Sequence, residues 1–202
     1  MSNQKVVIAT SNTGKINELQ DLCASWPCML IEPPRTLDIA ETGSTFMENA
    51  CIKARAYAKD TGLPAIADDS GLVIDALNGE PGLYSARYAG EDATASENMR
   101  KVLEMLANKP KPWTARFVCL LVLMRHANDP DPIITHGSWT GVIVDEPRGH
   151  MNHGYDPIFQ PRHHDCTAAE ILLEVKNKYS HRAQAIHKMT QYIARTEFME
   201  KI

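Results

Sequence analysis

Two adjacent carboxylates are candidates for a metal or catalytic site. They directly follow an apolar segment that is typical of a buried strand. The chain reads Asp68-Asp69-Ser70-Gly71 directly after residues 64–67. Adjacent carboxylates repel each other, and together they suit a hard cation such as Mg²⁺, which prefers oxygen ligands shared with substrate phosphates. The alternative is an Asp-rich turn, in which Asp and Ser side chains bond their own backbone. Taken alone, the residues favour neither interpretation.

A second candidate is the segment Thr10-Ser11-Asn12-Thr13-Gly14-Lys15, which lies between a predicted strand and a predicted helix. A helix N-terminus offers free N–H groups and a partial positive charge, and Lys15 adds a full charge, as in many phosphate sites. The segment is not a Walker A loop, because Ala9 and Ile16 stand where that loop needs Gly and Ser or Thr. Helix capping is the alternative explanation.

Further candidates are cationic or metal-ligating. His181 and Arg182 open the last predicted helix and Lys176 precedes them, so the cations oppose the helix dipole and invite an anion. An exposed, solvated cluster is the alternative. Lys53 follows Asn49 by four residues, so the two project from one helix ridge. Residues 163–166 (HHDC) are of metal-ligating types, but adjacent histidines point apart, so we expect no metal there.

Strands and helices that alternate along the chain must position these residues. Apolar runs predict strands at 5–10, 29–31, 64–67, 72–76, 115–125 and 133–144, with residues 68–71 as a turn. Capping boxes begin helices at Thr45, Thr94 and Thr167, another helix follows Gly14, and a long one starts at Ser180. The order predicts an α/β fold with an elongated mixed sheet flanked by helices, within one domain over residues 1–202.

Composition excludes several classes of protein. The chain has 202 residues, 44% of them hydrophobic, and a net charge of −4, which argues against a disordered chain and against nucleic-acid polymers or anionic membranes as partners. Its longest apolar run, residues 117–124, is too short to span a membrane. Five cysteines without a C-x-x-C pair are typical of free thiols in a reducing compartment. We therefore expect a soluble, cytoplasmic protein.

Seven motifs, in order from residue 6 to the final helix, resemble one family. The motifs are ATSNTGKxxE (9–18), ETGxTFxENA (41–50), ADDSG (67–71), PGxYSARYAG (81–90), GxWxG (137–141), GYDPIF (154–159) and SHRxxA (180–185). This set resembles the non-canonical purine nucleoside triphosphate pyrophosphatases, the inosine/xanthosine triphosphatase family known as RdgB or Ham1. The resemblance implies Mg²⁺-dependent hydrolysis of ITP, dITP and XTP to the monophosphate and pyrophosphate, which cleanses the nucleotide pool. It also implies a homodimer of chains with two lobes around a central nucleotide cleft and no linker.

The resemblance also implies roles for individual residues. The segment matching Thr10–Lys15 binds the triphosphate, the residue matching Asp69 is a general base near the metal, and the residue matching Lys53 faces phosphate. The remaining nucleotide contacts match Ser70, His153, Gly154, Tyr155, Asp156, Lys176, His181 and Arg182.

These residue types fit the implied reaction. Asp69 would hold Mg²⁺, with Glu41 or Asp68 assisting, and Lys15 and Lys53 would stabilise charge that grows in the transition state. Arg182, and in some protonation states His181, can donate hydrogen bonds to a 6-oxo group and so discriminate against the 6-amino group of adenine.

The chain departs from the family pattern at three positions. Ser11 replaces a usual glycine, Ala40-Glu41 replaces a pair of glutamates, and His153 replaces an aromatic residue near the base. We expect His153 to face the nucleotide base. Two alternative functions remain: another nucleotide phosphatase or pyrophosphatase, and a nucleotide-binding module without turnover.

Overall fold

The computed structural model describes residues 4–150 and 154–195. These residues form six strands and five α-helices. The strands are β1 (Lys5–Ile8), β2 (Met29–Ile31), β3 (Ala65–Ile74), β4 (Thr114–Met124), β5 (Ile133–Ile143) and β6 (Phe159–Pro161). The α-helices are α1 (Thr13–Leu22), α2 (Phe46–Thr61), α3 (Ala95–Leu106), α4 (Leu173–Tyr179) and α5 (His181–Arg195).

The strands form one six-stranded sheet in the order β2-β1-β3-β4-β5-β6. Strand β1 is parallel to both β2 and β3, whereas β5 is antiparallel to β6. The sheet is therefore mixed, and the predicted α/β class is confirmed. Its parallel end is built from strand–helix units, which bury both faces of a strand and so explain why residues 6–8 are continuously apolar.

The chain divides into two compact units. The first comprises the described parts of residues 1–69, 119–137 and 182–202, and the second comprises residues 70–118 and the described parts of 138–181. Strands β3, β4 and β5 each contribute residues to both units. The assignment of residues 1–202 to one domain stays a prediction.

The first unit buries its sheet between two helical layers. Alternate residues of β1 point to opposite faces: Val6 and Ile8 pack with α1 and α5, whereas Val7 packs with α2. The same alternation continues in β3, where Ile66 belongs to the α1 and α5 side and Ala67 to the α2 side. The face on which a β3 side chain lies therefore decides which helix it meets.

The second unit has its own apolar core. Leu72 and Ile74 of β3 pack there with Val102 and Leu106 of α3. Aromatic rings fill the remaining space, and the ring centroids of Phe117 and Phe159 lie 4.7 Å apart in an edge-to-face arrangement. This core anchors the parts of β4, β5 and β6 that belong to the unit.

One element prediction is wrong. Residues 68–71 were expected to form a turn between two short strands, but β3 runs without interruption from Ala65 to Ile74. The composition of the segment favours a turn, yet its backbone continues the strand because cations from other elements pair with both aspartate side chains. Paired charges can stay in a buried strand that would reject unpaired ones.

The other predicted elements are confirmed. The structure contains the capping boxes at Thr45, Thr94 and Thr167, of which the last opens a short 3-10 helix before α4. Strands β1, β2, β4 and β5 lie within two residues of their predicted bounds. All five cysteines are free thiols. Within residues 4–150 and 154–195, no helix is both long enough and apolar enough to cross a membrane.

Candidate active site

The two aspartates lie on opposite faces of β3. Consecutive side chains of a strand point in opposite directions, so Asp68 continues the row of Ile66 and Asp69 continues the row of Ala67. Asp68 therefore points to the side of α1 and α5, and Asp69 points to the side of α2. Although adjacent in sequence, the two carboxylates serve two separate clusters of charge.

Asp68 is the centre of the first cluster. Its Oδ1 atom accepts a hydrogen bond from the ammonium of Lys15 on α1. Its Oδ2 atom lies 3.0 Å from Nε of Arg182 and 3.1 Å from Sγ of Cys119. Burial by itself would raise the pKa of Asp68, but the charges of Arg182 and Lys15 outweigh it and hold that pKa well below its usual range. Asp68 is therefore a carboxylate at neutral pH.

Asp69 belongs to the second cluster. Its Oδ1 atom lies 2.6 Å from Nζ of Lys53 on α2, and the same ammonium lies 3.2 Å from Oε1 of Glu41. The side chain of Asn49, also on α2, accepts a hydrogen bond of 2.8 Å from the backbone N–H of Gly43 and so fixes the segment that carries Glu41. Helix α2 thus carries Lys53 and, through Asn49, fixes the segment of Glu41.

The second cluster shifts the pKa values of its members. Burial raises the pKa of Asp69; the nearby Lys53 ammonium offsets only part of that effect, and the Glu41 carboxylate adds to it. For Lys53, burial alone would lower the pKa, but the charge of Asp69 outweighs it and the pKa is raised. Asp69 is thus the more basic of the two aspartates and the better suited to accept a proton.

The predicted phosphate segment opens helix α1. Oδ1 of Asn12, the N-cap residue, accepts a hydrogen bond from the backbone N–H of Lys15 at 3.0 Å. The backbone N–H groups of Thr13 and Gly14, which precede Lys15, belong to the first helical turn. They therefore have no acceptor carbonyl four residues earlier within the helix. Residues 11–14 are exposed, so these amides are accessible to an anion.

Ser11 fits this segment without backbone strain. In the described part of the chain, Asn78 and His163 are the only non-glycine residues with a positive φ. Ser11 therefore adopts a backbone conformation open to any residue, and its side chain replaces the usual glycine at no conformational cost.

Other predicted site residues lie in the second unit. Lys176 forms an ion pair with the buried carboxylate of Asp156. The hydroxyl of Tyr155 donates a hydrogen bond of 2.8 Å to the carbonyl oxygen of Ser85. The buried imidazole of His181 stacks on Phe117, with ring centroids 5.0 Å apart and an interplanar angle of 16°.

Three further predicted site residues are Gly154, Ser70 and His153. Gly154 has a φ of +55°, a conformation that favours glycine at the start of the GYDPIF motif. Ser70, the residue after Asp69 in β3, is half-buried. His153 lies outside the described residues, so its orientation towards a base stays a prediction.

The donor set around Lys53 fits a magnesium ion. The carboxylate oxygens of Glu41 and Asp69 both contact the ammonium of Lys53. The position between these two carboxylates therefore favours a cation. Mg²⁺ is commonly held by one or two carboxylates together with substrate phosphates. Among the described residues, no group of three or more His, Cys, Asp or Glu side chains is placed to hold a metal ion. A metal at this carboxylate pair would therefore need further ligands from the substrate. Asp68 faces the other side of β3, so it does not belong to this donor pair.

The histidine pair at 163–164 lies elsewhere. Both residues line a cavity of about 470 Å³ in the second unit, together with Arg116 and Arg162. None of the residues that line this cavity is a predicted site residue. The expectation that residues 163–166 hold no metal stays a prediction.

Sequence reasoning missed two partners of the site. Cys119 lies within the apolar run of β4, and nothing in that pattern indicates a contact with a carboxylate 51 residues away. Glu18 forms an ion pair with Arg182. Glu18 is part of the first motif in the sequence. The motif does not indicate its partner, because Arg182 lies 164 positions further along the chain.

The fold and the site together define an α/β protein in which lysines, strand carboxylates and a helix N-terminus form a candidate site for a polyanionic ligand. The profile of the Ham1 family matches residues 6–192, nearly the whole chain. The chain belongs to the Ham1 family.

Relatives and solved structures agree with this assignment. The chain is 54% identical to a dITP/XTP pyrophosphatase of Shigella flexneri, over 91% of this chain and 94% of that protein. It is 51% identical to a dITP/XTP pyrophosphatase of Shewanella oneidensis, over 91% and 90% of the two chains. The solved structure of a HAM1 protein from Coxiella burnetii superposes with a TM-score of 0.90 at 47% identity, over 96% of this chain and all of that one.

Proposed function

We propose that this protein hydrolyses non-canonical purine nucleoside triphosphates, namely ITP, dITP and XTP, to the monophosphate and pyrophosphate. Membership of the Ham1 family and about 50% identity to dITP/XTP pyrophosphatases support the reaction and the substrate class. The observation that carries the proposal is the cluster of Asp69, Lys53 and Glu41, which combines a proton acceptor, a cation and a carboxylate pair.

Lysines and backbone amides supply the charge that a triphosphate requires. Lys15 and the amides of Thr13 and Gly14 lie together at the start of α1, and we assign to them the binding of phosphate oxygens. Lys53 stabilises the negative charge that grows as pyrophosphate leaves the α-phosphorus. In the nucleotide-free protein, both lysines are paired with carboxylates of β3.

Asp69 and Glu41 are the residues that would hold Mg²⁺. When bound, the ion would supply neutralisation of phosphate charge and orientation of the attacking water. Burial raises the pKa of Asp69 in the metal-free protein, and we assign to this carboxylate the removal of a proton from the attacking water. The assignment of the metal to Asp69 and Glu41, without Asp68, follows from the opposite directions of the two aspartates in β3.

Base selection is assigned to donors at the start of α5 and to the loop before β6. His181 and Arg182 are buried at this helix terminus, where a donor meets the 6-oxo group of hypoxanthine or xanthine but faces another donor in adenine. Lys176 and Asp156 are paired with each other, which fixes both side chains near the GYDPIF motif. His153 is proposed to stack on the base in place of the usual aromatic residue.

The proposed function also includes a cellular compartment and an oligomeric state. We assign the protein to the cytoplasm as a homodimer that clears deaminated purine nucleotides from the nucleotide pool. Free cysteines throughout the chain support a reducing compartment.

Product analysis tests the proposed function. The protein is incubated with Mg²⁺ and one of ITP, dITP, XTP, GTP, ATP or dUTP, and the phosphorus products are separated by ³¹P NMR. We expect pyrophosphate from ITP, dITP and XTP, with much slower turnover of ATP. Orthophosphate as the first product would indicate a phosphatase, preferential release from dUTP a pyrimidine enzyme, and no product a binding module; each of these results contradicts the proposal.

A further inference from the structure

One donor to the Asp68 carboxylate is a thiol. Cys119 on β4 is fully buried, and its Sγ atom lies 3.1 Å from Oδ2 of Asp68. The same oxygen lies 3.0 Å from Nε of Arg182, while Oδ1 accepts the hydrogen bond from Lys15. The carboxylate is therefore held at one oxygen by Cys119 and Arg182 and holds Lys15 with the other.

The thiol keeps the proton that this hydrogen bond needs. Burial raises the pKa of Cys119 well above its usual value, and the neighbouring Asp68 carboxylate raises it further. A thiol that stays protonated at neutral pH donates to the carboxylate and is not a nucleophile. Strand β4 is packed on both faces in this region, which fixes the position of Cys119.

We propose that Cys119 is a positioning residue, which fixes the rotamer of Asp68 by donating its S–H to Oδ2 and thereby orients Lys15 towards the triphosphate. This inference rests on the proposed function, in which Lys15 contacts a phosphate. The side chain of Lys15 is 24% exposed, whereas that of Asp68 is fully buried. The side chain of Lys15 thus remains partly accessible to a ligand, whereas the carboxylate that directs it does not.

Three cysteine variants separate positioning from packing. Cys119→Ala removes the donor and is expected to lower kcat for ITP about tenfold with little change in KM, the effect of losing one hydrogen bond to a charged group. Cys119→Ser keeps a donor and is expected to restore kcat to near the wild-type value. Cys23→Ala is the matched control, because Cys23 is a buried thiol of the same apolar cluster. It is expected to lower the melting temperature and leave kcat unchanged.

A double-mutant cycle tests whether Cys119 acts through Lys15. Pyrophosphate release is measured for Lys15→Met with and without Cys119→Ala, at a temperature where circular dichroism shows every variant folded. Positioning predicts that Cys119→Ala has no further effect on kcat once Lys15 is gone. Equal and independent effects in both backgrounds would overturn the inference, as would a Cys119→Ser variant as slow as Cys119→Ala. Failure of the proposed function is distinguishable, because then the wild-type protein itself releases no pyrophosphate from ITP.

Discussion

At the scale of single residues, the pairing of each β3 aspartate with its own lysine separates two tasks. Lys15 and Arg182 hold Asp68 ionised, so it serves as a fixed anchor for cations. Burial raises the pKa of Asp69, which suits it to the proposed role of proton acceptor. The environment of each carboxylate, set by the face of the strand on which it lies, therefore decides its chemistry.

Asp69→Asn tests the second task. The amide keeps the shape of the side chain and can still accept a hydrogen bond from Lys53, so we expect the fold to persist. Loss of a proton acceptor and of one charge for Mg²⁺ is expected to lower kcat by about 10²-fold or more. Steady-state pyrophosphate release with ITP at saturating Mg²⁺ measures this fall in kcat. A variant that retains most of its activity would show that Asp69 only pairs with Lys53.

Lys53→Met tests whether the ammonium occupies the position of a metal ion. Without Lys53, Glu41 and Asp69 lose their common cation, so the nucleotide-free protein is expected to bind Mn²⁺ more tightly, by about tenfold, which corresponds to ~1.4 kcal/mol. Mn²⁺ electron paramagnetic resonance measures the free ion directly. Lys15→Met is the control, because its partner Asp68 lies on the opposite face of β3, and it should leave Mn²⁺ affinity nearly unchanged. Weaker or unaltered binding in Lys53→Met would contradict the assignment of the metal to this pair.

At the scale of elements, a short contact between two strands explains the last glycine of the GxWxG motif. Gly141, the last residue of the GxWxG motif, pairs with Pro161 where β5 meets β6. A Cβ atom at this position would lie 2.2 Å from the carbonyl oxygen of Gln160 and 2.8 Å from the ring of Phe159. The motif therefore requires glycine because of the close approach of β6, the strand that follows the GYDPIF loop.

Gly141→Ala is expected to destabilise the protein. The added methyl group collides with backbone, which yields less easily than a flexible side chain, so the free energy of unfolding should fall by about 1–3 kcal/mol or more. Urea unfolding followed by circular dichroism measures the change. The neighbouring Thr140→Ala, an exposed position of the same strand, is the control and should change the unfolding midpoint little. Equal stability of the two variants would show that β6 can move away.

At the scale of the whole molecule, local patterns predicted the elements but not the contacts between them. Apolar runs and capping boxes placed β1, β2 and α2 because their signals lie within a few residues of each other. The pattern at residues 68–71 misled, because the cations that stabilise a charged strand come from elements 53 and 114 residues away from Asp68. Family motifs named most site residues, but only the structure shows which cation faces which carboxylate.

Isotope labelling shows which phosphorus of a 6-oxopurine triphosphate is attacked by water, which we propose to be the α-phosphorus. ITP and ATP are incubated separately with the protein and Mg²⁺ in H₂¹⁸O, and the products are analysed by mass spectrometry. Attack at the α-phosphorus predicts one ¹⁸O atom in inosine monophosphate and none in pyrophosphate, and selection for the 6-oxo group predicts far less product from ATP. Label in pyrophosphate or orthophosphate would contradict the first, and equal turnover of ATP would contradict the second.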